Sequence, residues 1–335
     1  MLHEPPAWWY GERSLWPVLL APASLVWDAA TRLRWATTRP FRASVPVICV
    51  GNLTAGGAGK TPAAMAIARF LLDAGEHPVF LTRGFGGRQE GPHLVDREQD
   101  RAQDVGDEAL LLARIAPTIV AADRAAGARL AQENRCSVII MDDGFQNPGL
   151  AKDLSLIVID RTQGVGNGRV IPAGPLRGSL AFQLARTHAL IRVGSGNAAD
   201  GITALARRAS LPILDAEIQP RSKTAWVSSK PVVAFAGIAN PDKFFHTLEL
   251  LGCKLADRIA FPDHHAFTSD DADNLLRTAS RHDAQLITTE KDMVRLEGTG
   301  SVERLKNAAR ALPVRLRFKD QGKAKRLIRR SVETG

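Results

Sequence analysis

Residues 47–62 read Val-Ile-Cys-Val-Gly-Asn-Leu-Thr-Ala-Gly-Gly-Ala-Gly-Lys-Thr-Pro, an apolar run that enters a glycine-rich turn and ends in Lys-Thr at a helix start. A strand passed to a helix through such a turn belongs to a βαβ unit, so the fold is expected to be built on a parallel sheet. The turn has the chemistry of a phosphate cradle. Its glycines let successive backbone N–H groups converge on anionic oxygens at the helix N-terminus, Lys60 adds a point charge, and the Thr61 hydroxyl suits a magnesium ion. Thr54, Gly56, Gly57, Ala58, Gly59, Lys60 and Thr61 are the expected cradle, with Thr61 also a metal ligand. Thr54 stands where the usual pattern has its first glycine. Ala55 occupies the place of the second lysine that marks partner-activated ATPases, which argues against that subgroup.

Downstream, apolar strands alternate with helical stretches: a helix over 62–74, a strand over 78–82, a helix over 107–115, a strand over 118–121, a helix over 124–133, and strands over 137–141 and 154–159. This is the pattern of a doubly wound sheet. Two glycine-rich stretches, 83–104 and 164–178, are long enough to be loops that face a ligand. The expected organisation is an N-terminal segment over 1–40, a main domain over 41–220 and a smaller α/β domain over 221–335, consistent with a length of 335 residues.

A net charge of +9 points to anionic partners: nucleotide phosphates, nucleic acid or an acidic membrane surface. The three cysteines, Cys49, Cys136 and Cys253, lie far apart among apolar residues and are expected to be buried and reduced. Five of the six tryptophans fall within the first 35 residues. The uncharged run from Ser14 to Trp27 is 14 residues long, about 21 Å as a helix and short of a hydrocarbon core near 30 Å. Arg32, Arg34, Arg39 and Arg42 follow it, so the expectation is an amphipathic foot lying on a membrane rather than crossing it.

Asp142-Asp143 closes a buried strand, where one carboxylate can hold magnesium and the other can orient a neighbour. Asp107 opens a helix and reads from its neighbours first as a helix cap, with a functional carboxylate as the alternative. Phe261-Pro-Asp-His-His265 places two histidines beside a carboxylate, a combination suited to proton transfer. Thr288-Thr-Glu-Lys-Asp292 lacks the spacing needed to read guanine. The basic stretch from Lys319 to Arg330 reads as a solvated helix end, since no nucleic-acid module accompanies it.

Taken in order, Gly51–Pro62, Thr82-Arg-Gly-Phe-Gly86, Val105-Gly-Asp-Glu108, Met141-Asp-Asp-Gly-Phe-Gln146, Gly166-Asn-Gly-Arg169, Pro172-Ala-Gly-Pro-Leu-Arg177, Phe261–His265 and Thr289-Glu-Lys-Asp292 resemble the tetraacyldisaccharide 4'-kinase family. The resemblance implies a P-loop NTPase-like, mostly parallel α/β fold. It implies ATP and Mg²⁺, an acylated glucosamine disaccharide 1-phosphate as acceptor, and attachment to the cytoplasmic face of a bacterial inner membrane. It makes Asp107 the general base, paired with His264 or, second, His265. It gives Asp142 to the metal, Asp143 to the transferring group, and Arg83 and Arg177 to a phosphate of substrate or nucleotide. Neither nucleic acid nor an obligatory protein partner is expected. Gly178 stands where the family often has glutamate. The competing expectation is a soluble P-loop ATPase or GTPase that acts on a protein partner or inserts a metal.

Overall fold

The structure is a computed structural model and describes residues 6–11, 14–57, 59–221 and 230–333. Ala58, expected in the cradle, lies outside the described residues. Among the described residues, thirteen strands run in chain order as β1 (Val47–Gly51), β2 (Pro78–Thr82), β3 (His93–Leu94), β4 (Thr118–Val120), β5 (Val138–Asp142), β6 (Leu154–Asp160), β7 (Ala189–Val193), β8 (Ile213–Pro220), β9 (Val232–Ala236), β10 (Leu255–Ala260), β11 (Gln285–Thr289), β12 (Ala309–Leu312) and β13 (Val314–Phe318).

A nine-stranded sheet has the order β13-β8-β7-β6-β1-β5-β2-β4-β3, with β1 between β5 and β6. From β4 to β8 all neighbours are parallel, and the edge strands β3 and β13 are antiparallel. The inner strands are apolar throughout because helices cover both faces. In β1, Ile48 and Val50 pack into one core with Ile67 and Leu71, while Val47 and Cys49 pack into the other with Leu53 and Phe145. Parallel strands put their C-terminal ends on one edge, so the turns after β1, β2, β5 and β6 gather there.

The second sheet is parallel, in the order β10-β9-β11-β12. Helices Ser269–Arg281 and Ser301–Ala308 contribute Leu275 and Leu305 to the core that also holds Val233 and Phe235, and helix Pro241–Leu250 adds Phe244, Phe245 and Leu248 to another. The chain then returns to the first sheet. β13 pairs with β8, and helix Gln321–Glu333 buries Ala324 and Ile328 in the first core, leaving its lysines and arginines on the outside. The segment 221–335 thus holds its own sheet only through Leu312.

At the N-terminus, Pro17 and Pro22 sit in the first turns of helices Trp16–Leu19 and Ala21–Thr37, where a missing N–H is no loss. The longer helix is tied down by one side: Ser24 Oγ donates to Val170 O at 2.7 Å, Trp27 Nε1 to Arg177 O at 3.2 Å, and Asp28 accepts from Ser179 N at 2.8 Å. On and just before these two helices stand the exposed side chains of Leu15, Trp16, Val18, Leu19, Leu25, Val26, Trp27 and Leu33, eight of the thirteen exposed large apolar side chains among the described residues. Such a cluster marks a contact surface. Among the described residues no helix is long and apolar enough to cross a membrane.

Candidate active site

The turn after β1 is held open by positive backbone angles at Gly56 (φ +106°) and Gly59 (φ +85°), a conformation that glycine adopts without strain. No atom lies within 4 Å of where a Cβ would stand on Gly56 or Gly57, so the face of the turn is open to a ligand. Lys60 and Thr61, the first residues of helix Lys60–Asp73, are buried beneath it. The Lys60 ammonium lies 3.3 Å from Gly56 O and 3.3 Å from Asp143 Oδ2. The proline-glycine loop braces the turn from the side, through Ala55 N to Pro175 O at 2.8 Å and Arg177 N to Leu53 O at 2.9 Å. Arg177 also donates from Nε to Thr54 O at 3.1 Å and forms an ion pair with Asp143 at 3.2 Å.

The two carboxylates after β5 face different partners. Thr61 Oγ1 donates to Asp142 Oδ2 at 2.9 Å, while Asp142 Oδ1 is buried without a partner. Burial, with Glu108 and Asp143 nearby, pushes the Asp142 carboxyl up to about 7. Asp143 turns toward Lys60 and Arg177 by adopting φ +51°, and those two cations overcome its burial and hold it below the usual carboxylate range. The neighbours are therefore driven apart in acidity. An unpaired buried carboxylate oxygen beside a threonine hydroxyl fits magnesium, which takes few protein ligands and completes its shell with phosphate oxygens and water. Consistent with that, no group of three or more His, Cys, Asp or Glu among the described residues is arranged to hold a metal alone.

Asp107 is the first residue of helix Asp107–Ala113; its N-cap is Gly106, and Asp107 Oδ1 accepts from Glu108 N at 2.8 Å. Asp107 Oδ2 faces the second sheet's unit, where His264 Nδ1 lies at 3.4 Å and Arg295 donates from Nε at 2.7 Å and from Nη2. Burial alone would push Asp107 up, but the His264 hydrogen bond and the charges of Lys291 and Arg295 win and hold it well below the usual range. His264 has φ +59°, a strained backbone of the kind that gathers at functional sites, and its ring stands edge-on to Phe85 at 5.4 Å. His265 points elsewhere, to Asp271 at 2.9 Å. Of the two histidines the geometry pairs His264 with Asp107. Glu108 binds Lys291 at 2.5 Å.

Arg83 is exposed and makes no ion pair among the described residues. Gln146, which sequence proximity would put with Asp142-Asp143, instead donates to Gln183 Oε1 at 2.6 Å. Two residues went unread in the sequence. Arg124 is buried with Nε unpartnered, and Arg295 lies 188 positions from the carboxylate it binds. For Arg295 the available signal was its place one helical turn after Asp292, to which it binds at 3.0 Å; nothing local pointed to Asp107.

A family model described as tetraacyldisaccharide-1-P 4'-kinase matches residues 16–333 of the chain. The tetraacyldisaccharide 4'-kinase of Parvibaculum lavamentivorans is 50% identical over 320 residues, covering 94% of this chain and 93% of that one. Its namesake from Rhodospirillum centenum is 48% identical over 328 residues, covering 96% and 95%. A crystal structure of LpxK from Aquifex aeolicus in complex with ATP superposes with a TM-score of 0.73 at 25% identity, covering 94% of this chain and 99% of that one.

Proposed function

The chain belongs to the tetraacyldisaccharide-1-P 4'-kinase family, and from that premise we infer that it transfers the γ-phosphate of ATP to the 4'-hydroxyl of a tetraacylated glucosamine disaccharide 1-phosphate, a step in lipid A biosynthesis. The observation that carries the site assignment is the meeting of two half-sites. A cradle with Lys60, Thr61 and a half-unpaired Asp142 stands on the same sheet edge as the Asp107–His264 pair, and Glu108 sits close enough to both to bind Lys291 and raise Asp142.

Phosphoryl transfer needs positioning and charge neutralisation more than covalent chemistry. Backbone N–H groups of the 54–59 turn and Lys60 would grip the outer phosphates, and Arg177, beside Asp143, would meet the transferring group. Thr61 and Asp142 would hold magnesium, which would offset the negative charge of the phosphates. Asp143 keeps Lys60 and Arg177 aligned. Asp107 and His264 form the base that takes the alcohol's proton. Arg83, exposed and without an ion pair among the described residues, suits the acceptor's 1-phosphate.

Such an acceptor stays in a bilayer, and the exposed apolar side chains between Leu15 and Leu33, followed by arginines, support a peripheral seat on an anionic membrane surface. Use of ATP and three free buried cysteines support the cytoplasmic face of the inner membrane. The rival, a soluble ATPase acting on a protein, gives that apolar surface nothing to do. Incubation with γ-labelled ATP, magnesium and the acylated disaccharide 1-phosphate in detergent, followed by chromatography, separates the two. Label moving with the lipid is expected; label released only as free phosphate would refute the kinase.

A further inference from the structure

Three carbonyl oxygens of the cradle turn are each taken up by donors of the protein itself. Leu53 O accepts from Arg177 N at 2.9 Å and from Gln183 Nε2 at 3.3 Å, and Thr54 O accepts from Arg177 Nε at 3.1 Å. Gly56 O is held from within the turn, by Asn52 Nδ2 at 2.9 Å and Lys60 Nζ at 3.3 Å. Asn52 follows directly on β1 and is only 1% exposed. Of the two ends of its amide only the NH₂ group can face a carbonyl oxygen, so Gly56 O dictates the orientation. The other end, Oδ1, is buried without a partner, a cost that the fold carries for the sake of the donor.

The peptide that joins Gly56 to Gly57 is the weak point of such a turn. A trans peptide carries its C=O and N–H on opposite sides, so the direction in which Gly56 O is drawn fixes the direction of Gly57 N–H. Between two glycines this peptide inverts at little steric cost, and inversion would show an incoming phosphate a carbonyl oxygen instead of an N–H. Gly57 N–H has no hydrogen-bond partner among the described residues, and the space where a Cβ would stand on Gly56 or Gly57 is open. That N–H is free for a ligand.

Lys60 shares Gly56 O only until a phosphate draws its ammonium away, since the same ammonium is the cradle's point charge. Asn52 is then the donor that remains. Resting on the ATP-binding reading above, we propose that Asn52 is a positioning residue of the cradle: its NH₂ group clamps Gly56 O inward, so that Gly57 N–H faces a phosphate oxygen of ATP. The clamp acts on the nucleotide's phosphates and leaves the acceptor's site alone.

The test is calorimetric titration with Mg–ATP, without acceptor, of the parent, Asn52→Ala and Asn52→Asp at about pH 8 and about pH 5, with melting curves and the detergent kinase assay beside it. Asn52→Ala should bind Mg–ATP roughly tenfold more weakly than the parent at both pH values, the size of one lost hydrogen bond, while KM for the acceptor stays within about twofold. Asn52→Asp keeps the shape but at about pH 8 offers Gly56 O only acceptors, so it should bind more weakly than Asn52→Ala there. Burial favours the protonated form of the introduced carboxyl, which at about pH 5 can donate to Gly56 O, so the variant should then bind more tightly than Asn52→Ala. Loss of charge without a clamp would bring it only to the level of Asn52→Ala. Parent-like affinity in Asn52→Ala, or an Asn52→Asp variant no tighter than Asn52→Ala at about pH 5, overturns the proposal. An equal rise in KM for ATP and for the acceptor marks a general disturbance of the fold and overturns it as well. If Asn52→Ala does not fold, Asn52→Asp decides alone: at about pH 5 its affinity should come within about fivefold of the parent's, and a wider gap refutes the clamp. A parent protein that binds no Mg–ATP defeats the nucleotide reading instead.

Discussion

Asp142 shows how much one side chain can carry. Its carboxyl is lifted to about 7 by burial and by two neighbouring carboxylates, against about 4 for the same group in an unfolded chain. Between those values the folded protein binds the proton and the unfolded chain does not, so stability without ligand falls as pH rises toward 7. Asp142→Asn removes that penalty: without nucleotide it should melt higher than the parent at about pH 8 and alike at about pH 4. The same substitution should abolish the extra stabilisation that magnesium adds to the ATP complex. If Asp142 holds magnesium as proposed, the metal must displace its proton, so Mg–ATP should bind more tightly above pH 7 than below it. Calorimetry in buffers of different ionisation enthalpy should detect proton release on the acid side, and none at about pH 8.5. A magnesium-dependent affinity that does not change with pH would remove Asp142 from the metal site.

At the scale of elements, β1 and the turn after β5 approach too closely for any side chain at Gly51, where a Cβ would stand 2.4 Å from that of Phe145. Gly51→Ala must push the Asp-Asp-Gly-Phe turn away and should cost about 1–3 kcal/mol in urea unfolding while weakening ATP binding. An unchanged midpoint would mean the turn yields freely. Helix Ala21–Thr37 is bonded to the loop that carries Arg177, so the exposed apolar surface and the phosphate-cradle turn share one support. Leu25→Glu with Val26→Glu alters only exposed positions. That double variant should bind vesicles of anionic lipid at least tenfold more weakly with an unchanged melting temperature, and equal vesicle binding would refute the foot.

Legibility followed the same physics. The inner strands could be read because burial on both faces makes them continuous apolar runs, and the cradle because its chemistry is local. β8 and β10 were less visible, since half-buried strands carry mixed residues. The return of β13 to β8 joins segments about ninety residues apart, which no local pattern announces. Asp107, ambiguous between cap and function from its neighbours alone, acquires its meaning only from His264 and Arg295 across the cleft.

For the molecule as a whole, function depends on docking one sheet's unit against the other. Val294 packs into the small core of Val105, Leu110 and Leu111, and the Arg295–Asp107 and Lys291–Glu108 pairs stand beside it. On the opposite flank Lys243 reaches Asp160 at 3.0 Å. Replacing Lys291 by Met strands Glu108 in a half-buried place and should cost about 1–3 kcal/mol, and Glu108→Gln in the same chain should restore part of it. Additive losses would mean the two do not act as a pair. The central claim is that this docked cleft delivers the phosphate of ATP to one sugar hydroxyl at a membrane. Its most direct measurement is phosphorus–proton correlation NMR of the purified lipid product. The new phosphorus is expected to couple to the proton on the 4' carbon; coupling at any other position, or a lipid recovered without a second phosphate, would contradict it.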